Sequence, residues 1–179
     1  QVSRFALGET VLDLVEQVEL PFATMASSKA SLPELHPQFV GLYQGALSRP
    51  EVRSEVEESD CVLALGVKLT DWDTGLFTVG IDPARMIRAG GGEVVIGHHA
   101  YPRVALGDYV RALAEAAAPR AYTTSHPRRP ATLPAPFVPR PAEPIRASRF
   151  FERVGRFLDD GMTVVSDISD VLCGSSDLQ

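Results

Sequence analysis

Four short segments carry the side-chain types that active sites use. They are 71–74 (DWDT), 90–92 (GGG), 98–99 (HH) and 167–170 (DISD). Histidines and carboxylates bind metals and transfer protons, and a glycine turn can hold a phosphate group. What each segment can do depends on the helix or strand that carries it.

The histidine pair is a weak candidate for a metal site. His98 and His99 follow the strand-like segment EVVI. Consecutive residues of a strand point to opposite faces, so the two rings cannot bind one ion without a third ligand nearby. Surface or packing histidines are the favoured interpretation, and a metal site is the alternative.

Asp71, Asp73 and Thr74 follow the apolar segment CVLALGV (61–67). Open α/β sheets bind ligands at the carboxyl ends of their strands, and paired carboxylates serve acid–base chemistry when one of them is buried. Aspartate is also a common turn residue that bonds its own backbone. A structural role is favoured, and a contact with neighbouring domains or with a substrate entrance remains open.

Gly90–Gly92 lies between the strand-like segments RMIRA and EVVIG. A dinucleotide fingerprint places its glycines between a strand and a helix. The pattern therefore predicts a hairpin-like turn, and a phosphate cradle is the alternative.

Composition excludes several classes of function. The formal net charge of −6 argues against nonspecific nucleic-acid binding, and no apolar run approaches the roughly 20 residues that cross a bilayer. The two cysteines, Cys61 and Cys173, lie in apolar stretches and predict buried free thiols in a reducing compartment, by default the cytoplasm. The chain begins with Gln1 rather than Met and stops at Gln179, so we expect a piece of a longer protein.

Helices and short apolar strands alternate through residues 1–118. This pattern predicts an α/β domain whose parallel sheet is covered by helices on both faces, with about five strands visible and some members missing. CVLALGV is typical of a central strand. The predicted elements are helices 7–18, from Pro50 and 108–118, and strands 20–25, 40–43, 61–67, RMIRA and EVVIG. The last helix has Tyr109, Ala112, Leu113 and Ala116 on one face.

Residues 119–147 differ, because eight of the chain's 14 prolines fall there. We expect an extended interdomain linker. Beyond it, the spacing predicts a helix over 148–161, with Ser148 as N-cap, Gly161 at its end and a buried stripe. That stripe consists of Phe150, Phe151, Val154, Phe157 and Leu158. A strand over 162–170 follows, carrying Asp167 and Asp170 at its end.

Much of the chain resembles thiamine-diphosphate-dependent 2-oxo-acid decarboxylases. The segment 20–52, with Lys29, Pro33-Glu34, His36-Pro37 and Gly41, is similar to the middle domain that these enzymes share with acetohydroxy-acid synthases. Segments 57–78, 94–113 and 149–178 are closer to the pyruvate, indolepyruvate and phenylpyruvate decarboxylases. The resemblance implies a Rossmann-like middle domain over 1–118 and the incomplete start of the cofactor domain over 148–179.

The resemblance also implies where the chemistry of such an enzyme lies. The cofactor of the family lies between the first and third domains of different subunits, which implies a homo-oligomer. The first domain supplies a glutamate, and the third supplies a Gly-Asp-Gly motif and a downstream Asn for magnesium and the diphosphate. This chain has no Gly-Asp-Gly and no counterpart of the first domain. We therefore expect no catalytic residue, no metal ligand and no bound cofactor in it.

Matched by position, Ile168, Ser169 and Asp170 occupy the family's loop that contacts thiamine diphosphate. Members of that family often have threonine at the position where this chain has Ile168. The intact protein is expected to decarboxylate a 2-oxo acid with thiamine diphosphate and Mg²⁺. A nucleotide-, CoA- or FAD-binding module, as in the synthases, is the alternative.

Overall fold

The computed structural model describes residues 1–118, 136–159, 161–167, 170–175 and 178, and the chain forms two compact units, 1–130 and 131–179. Each unit has its own packing. The predicted linker 119–147 lies partly outside the described residues, and its described part, 136–146, has turns but no helix or strand.

Helix α1 (Gly8–Val18) was predicted from spacing, and that prediction is confirmed. Val11, Leu14, Val15 and Val18 are all buried, as is Leu7 before the helix. Residues at i, i+3, i+4 and i+7 form one apolar stripe, and this stripe contributes to the core of the first unit. Further core residues come from the strands, from a loop and from a second helix.

The strands of the first unit form two sheets. One holds β1 (Phe22–Met25) and β2 (Phe39–Tyr43) in parallel. The other has the order β3-β4-β5-β6, in which β3 and β4 are parallel and the remaining pairs are antiparallel. Its strands are β3 (Val62–Leu65), β4 (Met86–Gly90), β5 (Glu93–Ile96) and β6 (His99–Pro102). The α/β class is confirmed, with an antiparallel extension that the pattern did not indicate.

Two further helices complete the first unit. Helix α2 (Pro50–Glu57) begins at the predicted Pro50, whose missing amide costs nothing in the first turn, and packs on β2. Helix α3 (Leu106–Ala116) packs on α1 and β4. The predicted apolar face of α3 is wrong, because its buried residues are Leu106 and Val110, the latter fully inaccessible.

Strand β3 does not lie at the centre of its sheet as predicted. It is the end strand of the described four, paired only with β4, and its residues are half-buried. Strand β6 was not predicted, because its residues HAYP are all exposed and show no alternation. A strand at the solvent edge of a sheet carries little hydrophobic signal.

In the second unit, helix α4 spans Ala147–Gly155 and not 148–161. Ser148 lies inside the helix, and the residue at the cap position is Arg146, which makes no side-chain cap. Gly155 ends the helix well before Gly161, since glycine is the weakest helix former after proline. The predicted stripe is not buried as a whole, because Phe150 is 53% and Phe157 is 63% exposed.

The predicted strand over 162–170 is also absent. Residues 162–167 have no regular structure, and Asp170 begins the short helix α5 (Asp170–Ser175). A strand needs a neighbour for its backbone hydrogen bonds, and no described strand of this unit offers one. Helix α4 contacts α5, where the ring of Phe151 lies against Gly174.

Both cysteines are exposed and free, so the prediction of buried thiols is wrong. Cys61 precedes β3 and Cys173 lies in α5, where apolar sequence neighbours did not imply burial. Within the described ranges, no helix combines the length and apolarity needed to cross a membrane.

Candidate functional site

Three loops meet beyond the carboxyl ends of the parallel strands. The amide of Ser27, after β1, donates to Asp73 Oδ1 in the loop after β3 over 3.0 Å. Gln44, directly after β2, donates from Nε2 to the carbonyl of Trp72 over 2.7 Å. This is the edge at which open α/β sheets bind ligands, which makes these loops the candidate site.

Asp73 and Thr74, both predicted candidates, are buried at this edge with 4% and 3% exposure. Besides Ser27, the Asp73 carboxylate accepts a bond of 3.1 Å from Thr70 Oγ1, which in turn accepts from the Asp73 amide. The Thr74 hydroxyl donates to the Thr70 carbonyl and accepts from the Phe77 amide. Every bond goes to the loops themselves, which supports the structural interpretation of these residues.

Asp71, the third member of the group, is exposed and accepts a hydrogen bond from the amide of Trp72 over 2.8 Å. This is the local turn contact expected of aspartate. The structure therefore separates the two carboxylates, since one is inside the loop and the other faces solvent. Thr70, which organises the loop, was missed because a threonine beyond a strand carries no specific signal.

A cluster of titratable side chains that sequence reasoning missed lies beside these loops. Glu57, at the end of α2, accepts 3.0 Å hydrogen bonds from Tyr43 Oη, Arg53 Nε and the Gly80 amide. Burial raises the pKa of Glu57, but the bonds from Gly80, Arg53 and Tyr43 outweigh it and leave that pKa lowered. The i, i+4 spacing of Arg53 and Glu57 was the available signal.

Tyr43 is the other perturbed group of this cluster. Burial, and next the bond to Glu57, raise the pKa of Tyr43 far above its usual range. A phenol held protonated against a carboxylate held ionised is a stable donor–acceptor pair, and it does not transfer protons near neutral pH. The cluster therefore fastens α2 to the 67–80 loop.

The histidine pair has no metal-binding geometry. His98 lies in the turn between β5 and β6, His99 begins β6, and both are exposed. The described part of the chain contains no group of three His, Cys, Asp or Glu side chains that could hold a metal ion. The interpretation as surface histidines is favoured.

Gly90–Gly92 forms the β4–β5 hairpin turn, as predicted, with positive φ at all three residues. Gly91 and Gly92 nevertheless line a cavity of about 510 Å³, together with Arg4, Lys68 and Arg111. The start of α3 also lines it, and Ala105 before that helix provides no side-chain cap. Arg111 also forms an ion pair with Asp108, with 2.7 Å between Nη2 and Oδ1. Three cationic side chains thus line one concavity of the first unit.

The predicted cofactor contacts are not defined by the structure. Ile168 and Ser169 lie outside the described residues, and Asp170 is described only as the first residue of α5. Among the described side chains, none forms a metal site for a diphosphate. The described side chains alone therefore do not provide the ligands that magnesium and thiamine diphosphate require.

Residues 1–117 match the family model described as thiamine pyrophosphate enzyme, central domain. An alpha-keto-acid decarboxylase of Mycolicibacterium paratuberculosis is 30% identical over 158 residues, which is 88% of this chain and 28% of that protein. A pyruvate decarboxylase of Candida glabrata is 30% identical over 166 residues, 92% of this chain and 29% of that protein. Pyruvate decarboxylase isozyme 1 of Saccharomyces cerevisiae is 27% identical over 165 residues, 92% and 29% of the two chains.

The first unit combines parallel strands with helices, as the Rossmann-like central domain of these enzymes does. The chain belongs to the thiamine pyrophosphate enzyme family, whose central domain it matches. The resemblance to the 2-oxo-acid decarboxylases is confirmed by the relatives. The chain spans less than a third of the length of these curated relatives.

Proposed function

We propose that the protein containing this chain decarboxylates a 2-oxo acid without oxidation, with pyruvate, indolepyruvate or phenylpyruvate as the substrate class. The observation that carries the proposal is the extent of the similarity. Alignments of 158 and 166 residues to an alpha-keto-acid and a pyruvate decarboxylase run past the 117 residues of the central-domain match. Thiamine diphosphate, held with Mg²⁺, supplies the electron sink when it is bound.

Within that protein, residues 1–118 serve as the middle domain and make no contact with the reacting atoms. The polar groups at the carboxyl edge of the sheet support this role, because Asp73 and Thr74 are hydrogen-bonded within the loops and Glu57 fastens α2 to the 67–80 loop. Residues 119–147 are the linker, and 148–179 begin the cofactor domain. Ile168, Ser169 and Asp170 then contact the cofactor once the rest of that domain is present.

A chimera tests the proposal directly. Residues 1–179 replace the aligned segment of the Candida glabrata pyruvate decarboxylase, and CO₂ release is followed with the three 2-oxo acids. We expect turnover that needs thiamine diphosphate and Mg²⁺, and weaker cofactor binding in the chimera carrying Asp170→Ala. A folded chimera that binds the cofactor but releases no CO₂ from any 2-oxo acid contradicts the proposal.

The chain by itself should bind no thiamine diphosphate, because it carries no Gly-Asp-Gly motif. Isothermal titration calorimetry of the 179-residue chain with the cofactor and Mg²⁺ measures this. Stoichiometric binding would show that the proposed division of labour between the domains is wrong.

The second candidate is a nucleotide-, CoA- or FAD-binding module, and one observation favours it. The cavity of about 510 Å³ brings Arg4, Lys68 and Arg111 to the uncapped end of α3, an arrangement that suits phosphate. Titration with FAD, CoA and ADP distinguishes the candidates. Binding that Lys68→Ala abolishes, while Lys29→Ala leaves it intact, would favour this module.

Two proposals concern the oligomeric state and the cellular location of the protein. We infer a homo-oligomer, from the family's cofactor site between subunits, and a cytoplasmic location. Static light scattering and fractionation of the source cells test them. No nucleic-acid or membrane partner is proposed.

A further inference from the structure

The long connection between β1 and β2, residues 26–38, is held by polar contacts along its length. Near its start, the Ser27 amide donates to the Asp73 carboxylate. In its middle, Lys29 and Glu34 form an ion pair with 2.6 Å between Nζ and Oε2. At its end, the imidazole of His36 contacts both helix α1 and the residue that precedes β2. The last of these contacts depends on the protonation of the ring.

Both ring nitrogens of His36 take part in a hydrogen bond. The amide of Gln38 lies 3.1 Å from Nδ1, and Nε2 lies 3.2 Å from Oε1 of Glu16 in α1. A backbone amide can only donate, so Nδ1 is the acceptor and carries no proton. The hydrogen of the neutral ring is therefore assigned to Nε2, which donates it to Glu16. These contacts define the tautomer as well as the orientation of the ring.

Gln38 links this ring to the sheet. Its carbonyl accepts a 2.8 Å hydrogen bond from the Phe22 amide at the start of β1. The ring of Phe22 also packs on the imidazole of His36, with 5.5 Å between the ring centroids. Gln38 is 7% exposed, so little water can reach its backbone. His36 thus supports, through one buried residue, a contact between the starts of the two strands.

We propose that His36 is a proton-sensitive latch, which fastens the end of the 26–38 connection while its ring is neutral and releases it when the ring is protonated. A proton on Nδ1 sets one N–H group against another, so the charged ring cannot accept from the Gln38 amide. That amide then lacks a partner where water reaches it poorly, which is unfavourable. The Gln38 backbone has to move, and its contact with Phe22 weakens.

The Glu16 carboxylate acts in the opposite direction, because a negative charge beside Nε2 favours the charged ring. Its side chain is 63% exposed, however, and ion pairs in contact with water contribute little. Glu34, two residues before the ring, is already paired with Lys29, and Phe22 carries no charge. The loss of the Gln38 bond therefore outweighs the gain at Glu16. The connection loosens as the pH falls through the range in which histidines take up a proton, about pH 8 to 5.

Amide hydrogen exchange of the 179-residue chain over this pH range tests the latch. Protection factors are read at Gln38 and Phe22, each corrected for the pH dependence of exchange in an unstructured chain. Gly66, whose amide donates to the carbonyl of Ala89 in the other sheet, is the internal reference. We expect the protection of Gln38 and Phe22 to fall by about tenfold or more in acid, while that of Gly66 changes by less than about threefold. The inference does not depend on the proposed catalytic function.

Three variants separate the hydrogen bond from the charge. An asparagine side chain accepts from the backbone two residues on and does not titrate, so His36→Asn should keep Gln38 protected at every pH. His36→Leu removes the acceptor and should leave Gln38 weakly protected at every pH. His98→Asn is the matched control, because His98 is an exposed histidine outside the connection, and it should behave like the parent chain.

Long-range ¹H–¹⁵N spectra of the His36 ring follow its tautomer and its protonation in the same samples. Gln38 protection that stays constant while the ring becomes charged overturns the proposal. So does a neutral ring with its proton on Nδ1, or a ring that takes up no proton above about pH 5. An equal loss of protection at Gly66 or in His36→Asn would assign the pH dependence to another group, and the proposal would fall. The parent chain alone decides the first three points, so the test stands even if a variant does not fold.

Discussion

Gly41 is a position where one added methyl group should be strongly destabilising. It lies in β2 with φ of +137°, and a Cβ built there falls 2.6 Å from Cγ2 of Val52 in α2. Val52 is 2% exposed, so it has little room to move. Gly41→Ala thus combines an unfavourable backbone conformation with a clash inside the packed β2–α2 contact.

The two contributions can be separated by a double-mutant cycle. Overpacking costs about 1–3 kcal/mol and the backbone strain about 1–2 kcal/mol, so Gly41→Ala should destabilise by roughly 2–5 kcal/mol. Val52→Ala alone removes two methyl groups, at about 2 kcal/mol. In the double variant the nearest remaining atom of residue 52 is Cβ, at 3.8 Å, an ordinary contact. We therefore expect the double variant to be about 1–2 kcal/mol more stable than additivity predicts.

Urea unfolding at 25 °C measures all four proteins. Trp72 is the single tryptophan, so its fluorescence reports on the first unit alone. Gly91→Ala is the matched control, since φ there is +65° and a built Cβ meets nothing within 4 Å. Gly91→Ala should lower the unfolding free energy only through backbone strain, by about 1 kcal/mol. If the cycle is additive within about 0.5 kcal/mol, or Gly91→Ala costs as much as Gly41→Ala, the clash with Val52 is not the cause.

Three further predictions concern charges and the second unit. Glu57→Gln should cost about 1–2 kcal/mol at pH 7. Because the fold lowers the pKa of Glu57 from 4.5, the carboxylate's contribution is present above that value and is lost as the pH falls through the lowered pKa. Urea midpoints of the two proteins should therefore converge in acid, and a constant difference would contradict this. Asp73→Ala should lower the unfolding free energy by about 2–4 kcal/mol, because it removes a buried carboxylate that accepts hydrogen bonds from the Ser27 amide and the Thr70 hydroxyl. Asp71→Ala should change the unfolding free energy by less than about 0.5 kcal/mol. Phe150→Ser with Phe157→Ser should lower the molar mass in light scattering if the exposed rings cause self-association, and a monomeric parent chain would refute that.

The sequence predicted the first unit well where burial and periodicity agree. Helix α1 could be read from its spacing because Val11 and Leu14 both reach the core. The predicted face of α3 failed for the same physical reason, since Tyr109 and Leu113 are apolar but only half-buried, while Val110 is completely buried. Periodicity tells which residues share a face, and the neighbouring elements decide how much of that face is covered.

The polar contacts of the candidate site could not be predicted from spacing. Asp73 was selected from its place beyond a strand, yet its partner Ser27 lies 46 residues earlier, after a strand of the other sheet, and is brought near only by the tertiary packing of the first unit. Glu57 and Tyr43 meet through the packing of α2 on β2, which no local pattern encodes. The second unit failed differently, because an apolar segment such as 162–167 forms a strand only beside a partner.

The misplaced position of β3 brings these results together. An apolar strand predicted at the centre of a parallel sheet lies at the end of the described one. Its residues, Val62–Leu65, are half-buried. An unbroken apolar run therefore predicts the strand itself, while the neighbouring elements decide whether that strand lies inside the sheet or at its end.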